Sequence, residues 1–164
     1  MINPHPASKI LLIGWDGADW DVITPLLDAG ALPNLERLVD RGVMGDLSSP
    51  APRLCPLLWT SLLTGRRAED HRVLTSDEPD PMTGGRRPVH SSRRAVDSIW
   101  EILGRAGLRG HALNWPASHP AGPISGVAVS ELFPRVMGPI DEPWPIPAGA
   151  IHPAGFREVL SDLR

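Results

Sequence analysis

The sequence predicts an α/β fold with a mainly parallel sheet flanked by helices, on three observations. An unbroken apolar run, Ile10–Ile13, ends abruptly in Trp15-Asp16-Gly17. Uninterrupted aliphatic residues of this kind suit a strand buried on both faces, the usual state in a parallel sheet. Segments with helical apolar spacing then alternate with short apolar stretches, as strand–helix connections require. Most of the helical segments are followed by a glycine stop: Gly30, Gly42, Gly65 and Gly107.

Each element follows from its own pattern. Trp20–Ala29 carries Val22, Ile23, Leu26 and Leu27 at helical spacing. Pro33 suits the first turn of a second helix, Asn34–Arg41, with Leu35, Leu38 and Val39 on one face. Val43–Ser48 reads as a short strand and Pro50–Leu54 as a loop. Pro56–Thr64, with Leu57, Leu58, Trp59, Leu62 and Leu63, reads as a buried helix. Residues 66–92 are polar, contain Gly84-Gly85 and two arginine pairs, and read as a surface loop insertion with little regular structure. Arg93–Arg105 returns to helix, Leu108–Trp115 and Gly126–Leu132 read as strands, and Pro153–Arg164 reads as a final amphipathic helix. That last segment carries no capping signal, so the domain is expected to continue past it.

Composition narrows the function classes. With 164 residues and 41% hydrophobic content, the chain can bury a core as one domain or part of one. The net charge of −3 leaves no basic excess to argue for a nucleic-acid polymer. The 19 prolines gather in residues 50–56, 79–88 and 116–147, which should be irregular but ordered loops. A single cysteine excludes an internal disulfide and suits a reducing compartment. The first strand begins at Lys9, too early for a signal peptide, and no apolar stretch approaches the ~20 residues that span a bilayer. A cytoplasmic protein with no membrane partner is the expectation.

Two positions carry candidate chemistry. Asp16 closes the first strand, on the rim where open α/β sheets gather ligands, and its carboxylate is a hard donor for a divalent cation. Asp16, Asp19 or Asp21 equally suits the cap of the helix that follows. Cys55 precedes Pro56 and is expected at the N-cap of the Pro56–Thr64 helix. Backbone N–H groups and the positive end of the dipole converge there, favouring a thiolate and cradling an oxyanion. A lone cysteine is otherwise most often a buried, inert residue. Thr60 and Ser61 lie deeper in the helix and are expected to pack or bond to the preceding turn.

GWDGADW (Gly14–Trp20), LPNLERLVDRGVMG (Leu32–Gly45), PLLWTSLLTG (Pro56–Gly65) and His71 stand in a specific order and spacing. Weaker matches continue through SIWEILGRAG and NWPASHPAGPISGVAVSELF. Together these pieces resemble the type I phosphodiesterase/nucleotide pyrophosphatase family of the alkaline phosphatase superfamily. The resemblance implies an alkaline-phosphatase-like fold and a metal-dependent hydrolase of phosphoric esters acting on a small phosphate-ester substrate. It implies that Asp16 binds one of two divalent metals, commonly zinc. The family's Thr or Ser nucleophile, which also bridges the metals, falls on Cys55. The chain departs from the family here. Cysteine is a good zinc ligand, but a phosphocysteine replaces the usual phosphoester. Sulfatases of the same superfamily modify a cysteine within Cys-x-Pro-x-Arg, which Cys55-Pro56-Leu57-Leu58-Trp59 does not match. A phosphomutase shares the opening motif and stays open.

The family's later ligands, an Asp-x-x-x-His pair, an adjacent Asp-His and a further His, are not found among His5, His71, His90, His111, His119 and His152. Asp70-His71 has the adjacent form, but its place matches a different, usually non-ligand histidine. His111 and His119 are more simply structural or solvated. The resemblance therefore places residues 1–164 as the amino-terminal part of one catalytic domain, incomplete at the C-terminus and weakly active alone. The alternative is a non-catalytic or degenerate α/β fragment that binds a partner. Self-association through an unfinished edge is expected of either.

Overall fold

Asp19 starts the first helix. Its side chain accepts a hydrogen bond from the Asp21 amide at 2.9 Å, and α1 runs Trp20–Asp28 before Gly30 turns the chain at φ +69°. Pro33 opens α2, Pro33–Arg41, as a proline can where no intrahelical donor is required. The computed structural model describes residues 9–135, 138–139, 141–142 and 144–162. The chain divides into two compact units, Met1–Leu47 and Ser48–Arg164.

Within the first unit, α1 and α2 pack through a narrow seam. Ile23 is buried, Leu27, Leu35 and Val39 are half-buried, and the Trp20 indole donates to the Gly45 carbonyl at 3.3 Å. The expected strand at Ile10–Ile13 does not form. These four residues are 58–88% exposed and join no ladder. Val43–Ser48 also lacks strand structure, with Val43 fully exposed. The reason is local: among the described residues the first unit contains two helices and no strand, so neither stretch finds a ladder partner within it.

The second unit holds the remaining elements. Helix α3 is Cys55–Thr64, closed by Gly65 at φ +63°, and α4 is Ala68–His71. A hairpin pairs β1, Asp77–Pro79, with β2, Arg86–Pro88, with Glu78 opposite Arg87. A 3₁₀ turn at Ser91–Arg93 leads to α5, Ile99–Arg105. Strands β3 (Ala112–Trp115), β4 (Ala128–Ser130) and β5 (Ile151–His152) form the second sheet in that order. A 3₁₀ turn at Ala154–Phe156 then precedes α6, Arg157–Ser161.

The fold is thus α/β, but the expected mainly parallel sheet is not what these strands make. The β3–β4 pair is parallel, β4–β5 is antiparallel, and the hairpin is antiparallel. Short strands limit the ladder: β3 bends at Asn114, where φ is +55° and the register shifts. Element boundaries also move, and the expected strands Leu108–Trp115 and Gly126–Leu132 shorten to Ala112–Trp115 and Ala128–Ser130. The helix expected from Arg93 starts at Ile99, because Ser98 and Glu101 form a capping box whose carboxylate also holds Arg94. Residues 66–92 contain a helix and a hairpin, and His71, Val73, Glu78 and Val89 within them are buried. The final helix is shorter than expected, and Leu163 and Arg164 lie outside the described residues.

Three tryptophans of this unit meet in one cluster. Trp115 is 8% exposed and meets Trp59 and Trp100 edge-on, at ring-centroid distances of 5.1 and 5.3 Å. Its indole donates to the Trp59 carbonyl at 3.2 Å, so the ring pins α3 and α5 onto β3.

Candidate functional site

Asp16 lies in the first unit, in the turn before α1, followed by Gly17 at φ +71°. That positive φ is a conformation side-chain-bearing residues rarely adopt, so the Asp-Gly pair belongs to the turn. The capping role falls to Asp19 rather than Asp16. Asp16 is exposed.

Cys55 lies in the second unit and is exposed, so it is not the buried residue a lone cysteine most often is. It is the first residue of α3 rather than its N-cap. The Leu54 carbonyl takes the first helical bond, from the Leu58 amide at 3.0 Å, which makes Leu54 the cap and moves Cys55 one place inward. Pro56, at the next position, costs the helix no bond. The thiol therefore stands in the first turn, where the dipole is positive and the leading N–H groups point outward along the axis.

Helix α3 holds its hydroxyls inward. Thr60 is buried, and Ser61 donates to the Leu57 carbonyl at 3.0 Å, the back-bonding expected of it. Ser61 also meets His71 Nε2 at 2.9 Å, while His71 Nδ1 accepts from the Val73 amide at 3.1 Å. These roles define a neutral imidazole with its proton on Nε2. Burial pushes the His71 pKa below its ordinary value, partly opposed by Asp70 and Glu69. His71 is fully buried and locks the α3–α4 connection, with no nitrogen left for a metal.

Three other histidines, His119, His90 and His111, are also engaged. His119 Nδ1 faces Ser130 Oγ at 3.1 Å, and burial lowers its pKa against the pull of Glu131. His90 Nδ1 meets Ser92 Oγ at 2.6 Å, and His111 Nδ1 accepts from the Val127 amide at 3.2 Å. His5 lies outside the described residues.

Two buried carboxylates went unmarked in the sequence. Glu78 receives Arg87 at 2.7 Å and Arg93 on its other oxygen, and the Arg93 and Arg87 hydrogen bonds hold its pKa below the usual carboxylate value. Glu131 receives the Ser118 amide at 2.9 Å and hydroxyl at 2.7 Å, closing the loop between β3 and β4. The arginine pairs of residues 66–94 were the available signal for Glu78; nothing local marks Glu131.

Among the described residues no group of three or more His, Cys, Asp or Glu side chains is placed to hold a metal ion. Asp16 and Cys55 supply two donors, below the three or four protein ligands of a stable zinc site. These residues by themselves do not fit a two-metal centre. No described helix is long and apolar enough to cross a membrane.

No curated protein and no solved structure matches the chain. The sequence model of type I phosphodiesterase/nucleotide pyrophosphatase matches residues 10–157, spanning Asp16, Cys55 and every strand described above, and the chain belongs to that family.

Proposed function

We propose that this chain is the amino-terminal part of a metal-dependent hydrolase of phosphoric esters, with Cys55 as its nucleophile and Asp16 and Cys55 among its metal ligands. Family membership supports the reaction class and a small phosphate-ester substrate. The observation that carries the site is the exposure of Cys55 on the first turn of α3. In the reaction the sulfur attacks phosphorus, an S–P bond forms, and the P–O bond to the departing alcohol breaks. Water then cleaves the S–P bond and releases phosphate or a monoester. The first-turn N–H groups of α3 stabilise charge on the phosphoryl oxygens. Divalent ions, zinc by the family's habit, would supply Lewis acidity when bound. Further ligands must come from residues other than those described, and in the complete domain the sheet would be the larger parallel one of the alkaline phosphatase fold.

The test is hydrolysis of an aryl phosphodiester with added zinc, by this chain and by one extended past Arg164. The extended chain is expected to turn over substrate and its Cys55→Ala variant to lose about a thousandfold or more in kcat. Cys55→Ser, which restores the family's hydroxyl, should keep measurable activity. An extended chain inert towards every ester, or one indifferent to Cys55→Ala, overturns the reading.

The exposed Ile10–Ile13 run favours a second reading, a non-catalytic α/β piece that binds a partner or another copy. A chain that sediments as a monomer and melts cooperatively without metal argues against it.

A further inference from the structure

Beside the β1–β2 hairpin lies an open cavity of about 560 Å³, whose lining does not include Cys55. The segment after α4 forms one wall and the segment after the Ser91–Arg93 turn forms the other. The Ala95 amide ties them together by donating to the His71 carbonyl at 3.1 Å. Its lining carries three guanidiniums, Arg72, Arg93 and Arg94, against one carboxylate, Glu78. That carboxylate is already matched by Arg93 and, from outside the lining, Arg87.

The three arginines differ in a useful way. Arg94 is largely buried and held by the Val96 carbonyl and the Glu101 carboxylate. Arg93 bonds Glu78 through Nε, which leaves its terminal nitrogens uncommitted in the described contacts. The Arg72 guanidinium is exposed and makes no ion pair or side-chain hydrogen bond among the described residues. The cavity therefore combines two arginines fixed in place by their own partners with one that has none. Guanidinium forks match phosphate oxygens in geometry and charge, and prior fixation lowers the entropy lost on binding. Leu74 and Val89 supply an apolar side to the same cavity.

We infer that this cavity binds a small phosphate-class dianion, inorganic or carried on a short organic group, at a site separate from Cys55. The excess positive charge of the lining selects a dianion over a neutral ligand, and the volume suits a small molecule. The inference stands without the hydrolase reading.

The experiment titrates inorganic phosphate and phenyl phosphate into the Cys55→Ala chain at constant ionic strength, reading binding calorimetrically and by thermal shift. Saturable binding is expected, with Arg72→Ala and Arg72→Gln each weakening it about tenfold or more, the factor that one charge-assisted hydrogen bond carries. Tighter binding of phenyl phosphate identifies an ester as the fitting form, and equal binding identifies the free ion. Arg109→Ala, an exposed arginine outside the cavity, should change nothing. No saturation beyond matched chloride, an Arg72→Gln variant that binds like its parent, or equal weakening by Arg109→Ala each overturns the proposal.

Discussion

The two units use similar aliphatic residues and reach different outcomes. In Met1–Leu47 only Ile23 is a buried hydrophobic residue among those described, and Ile10, Leu11, Leu12 and Ile13 stand in solvent. In Ser48–Arg164, Leu57, Leu63, Val73, Trp115 and Val129 are buried, and Glu78, His71 and Glu131 are buried with their hydrogen bonds made. The difference lies in partners rather than in hydropathy. A helix makes its own backbone bonds, whereas a strand needs a neighbour before burial can proceed. The second unit supplies strands to its own strands; among the described residues the first has none to offer.

Substitutions can break or sharpen this contrast. The largest effect is expected at Trp115, where replacement by Ala removes a ring shared by α3, α5 and β3. A loss of about 3–5 kcal/mol in urea unfolding is expected, and a loss under 1 kcal/mol would show that the second unit is not held by that ring. Next comes Glu78→Gln, which leaves two guanidiniums without their anion. It should cost about 2 kcal/mol, with hydrogen exchange at the β1–β2 amides rising most. Uniform acceleration across the chain would deny the hairpin a separate role.

His71 gives a smaller, pH-dependent effect. Its folded pKa lies below the ordinary 6.5, so the unfolded chain binds the proton more readily. Stability should be complete above about pH 6.5 and fall as the pH drops below it towards the folded pKa. Urea midpoints at pH 7.5 and 5.5 should differ in that direction, and His71→Gln should remove that part of the difference. The smallest effect is expected at Leu11→Asp. An exposed, unpaired residue should change stability by less than about 0.5 kcal/mol while reducing self-association in sedimentation. A cost of several kcal/mol there would mean that the segment is a paired strand in solution.

Legibility followed the range of the interactions involved. The three helices Trp20–Asp28, Pro33–Arg41 and Cys55–Thr64 lie within a residue of their expected bounds, because Asp19, Pro33, Pro56, Gly30, Gly42 and Gly65 act within a turn of where they stand. The shortened α5 carried its own signal, Ser98-x-x-Glu101, overlooked in favour of the longer apolar stripe. The arginine pairs hinted at an anion, but nothing local marked Glu78 as the buried one, since its partners are 9 and 15 positions away. The family pattern was readable from motifs at Gly14–Trp20 and Pro56–Gly65, and it covers residues 10–157.

What the sequence determined alone was the placement of α1, α2 and α3 and the family, and it nominated the two residues on which phosphoryl chemistry is proposed. Each depends on contacts within a few positions or on an ordered set of short motifs. Only the tertiary structure decided that Ile10–Ile13 lacks a ladder, that His71 is a buried strut, and that Cys55 is exposed at the first turn of α3. Burial and strand pairing are properties of what arrives from elsewhere in the chain, and no local pattern records that arrival.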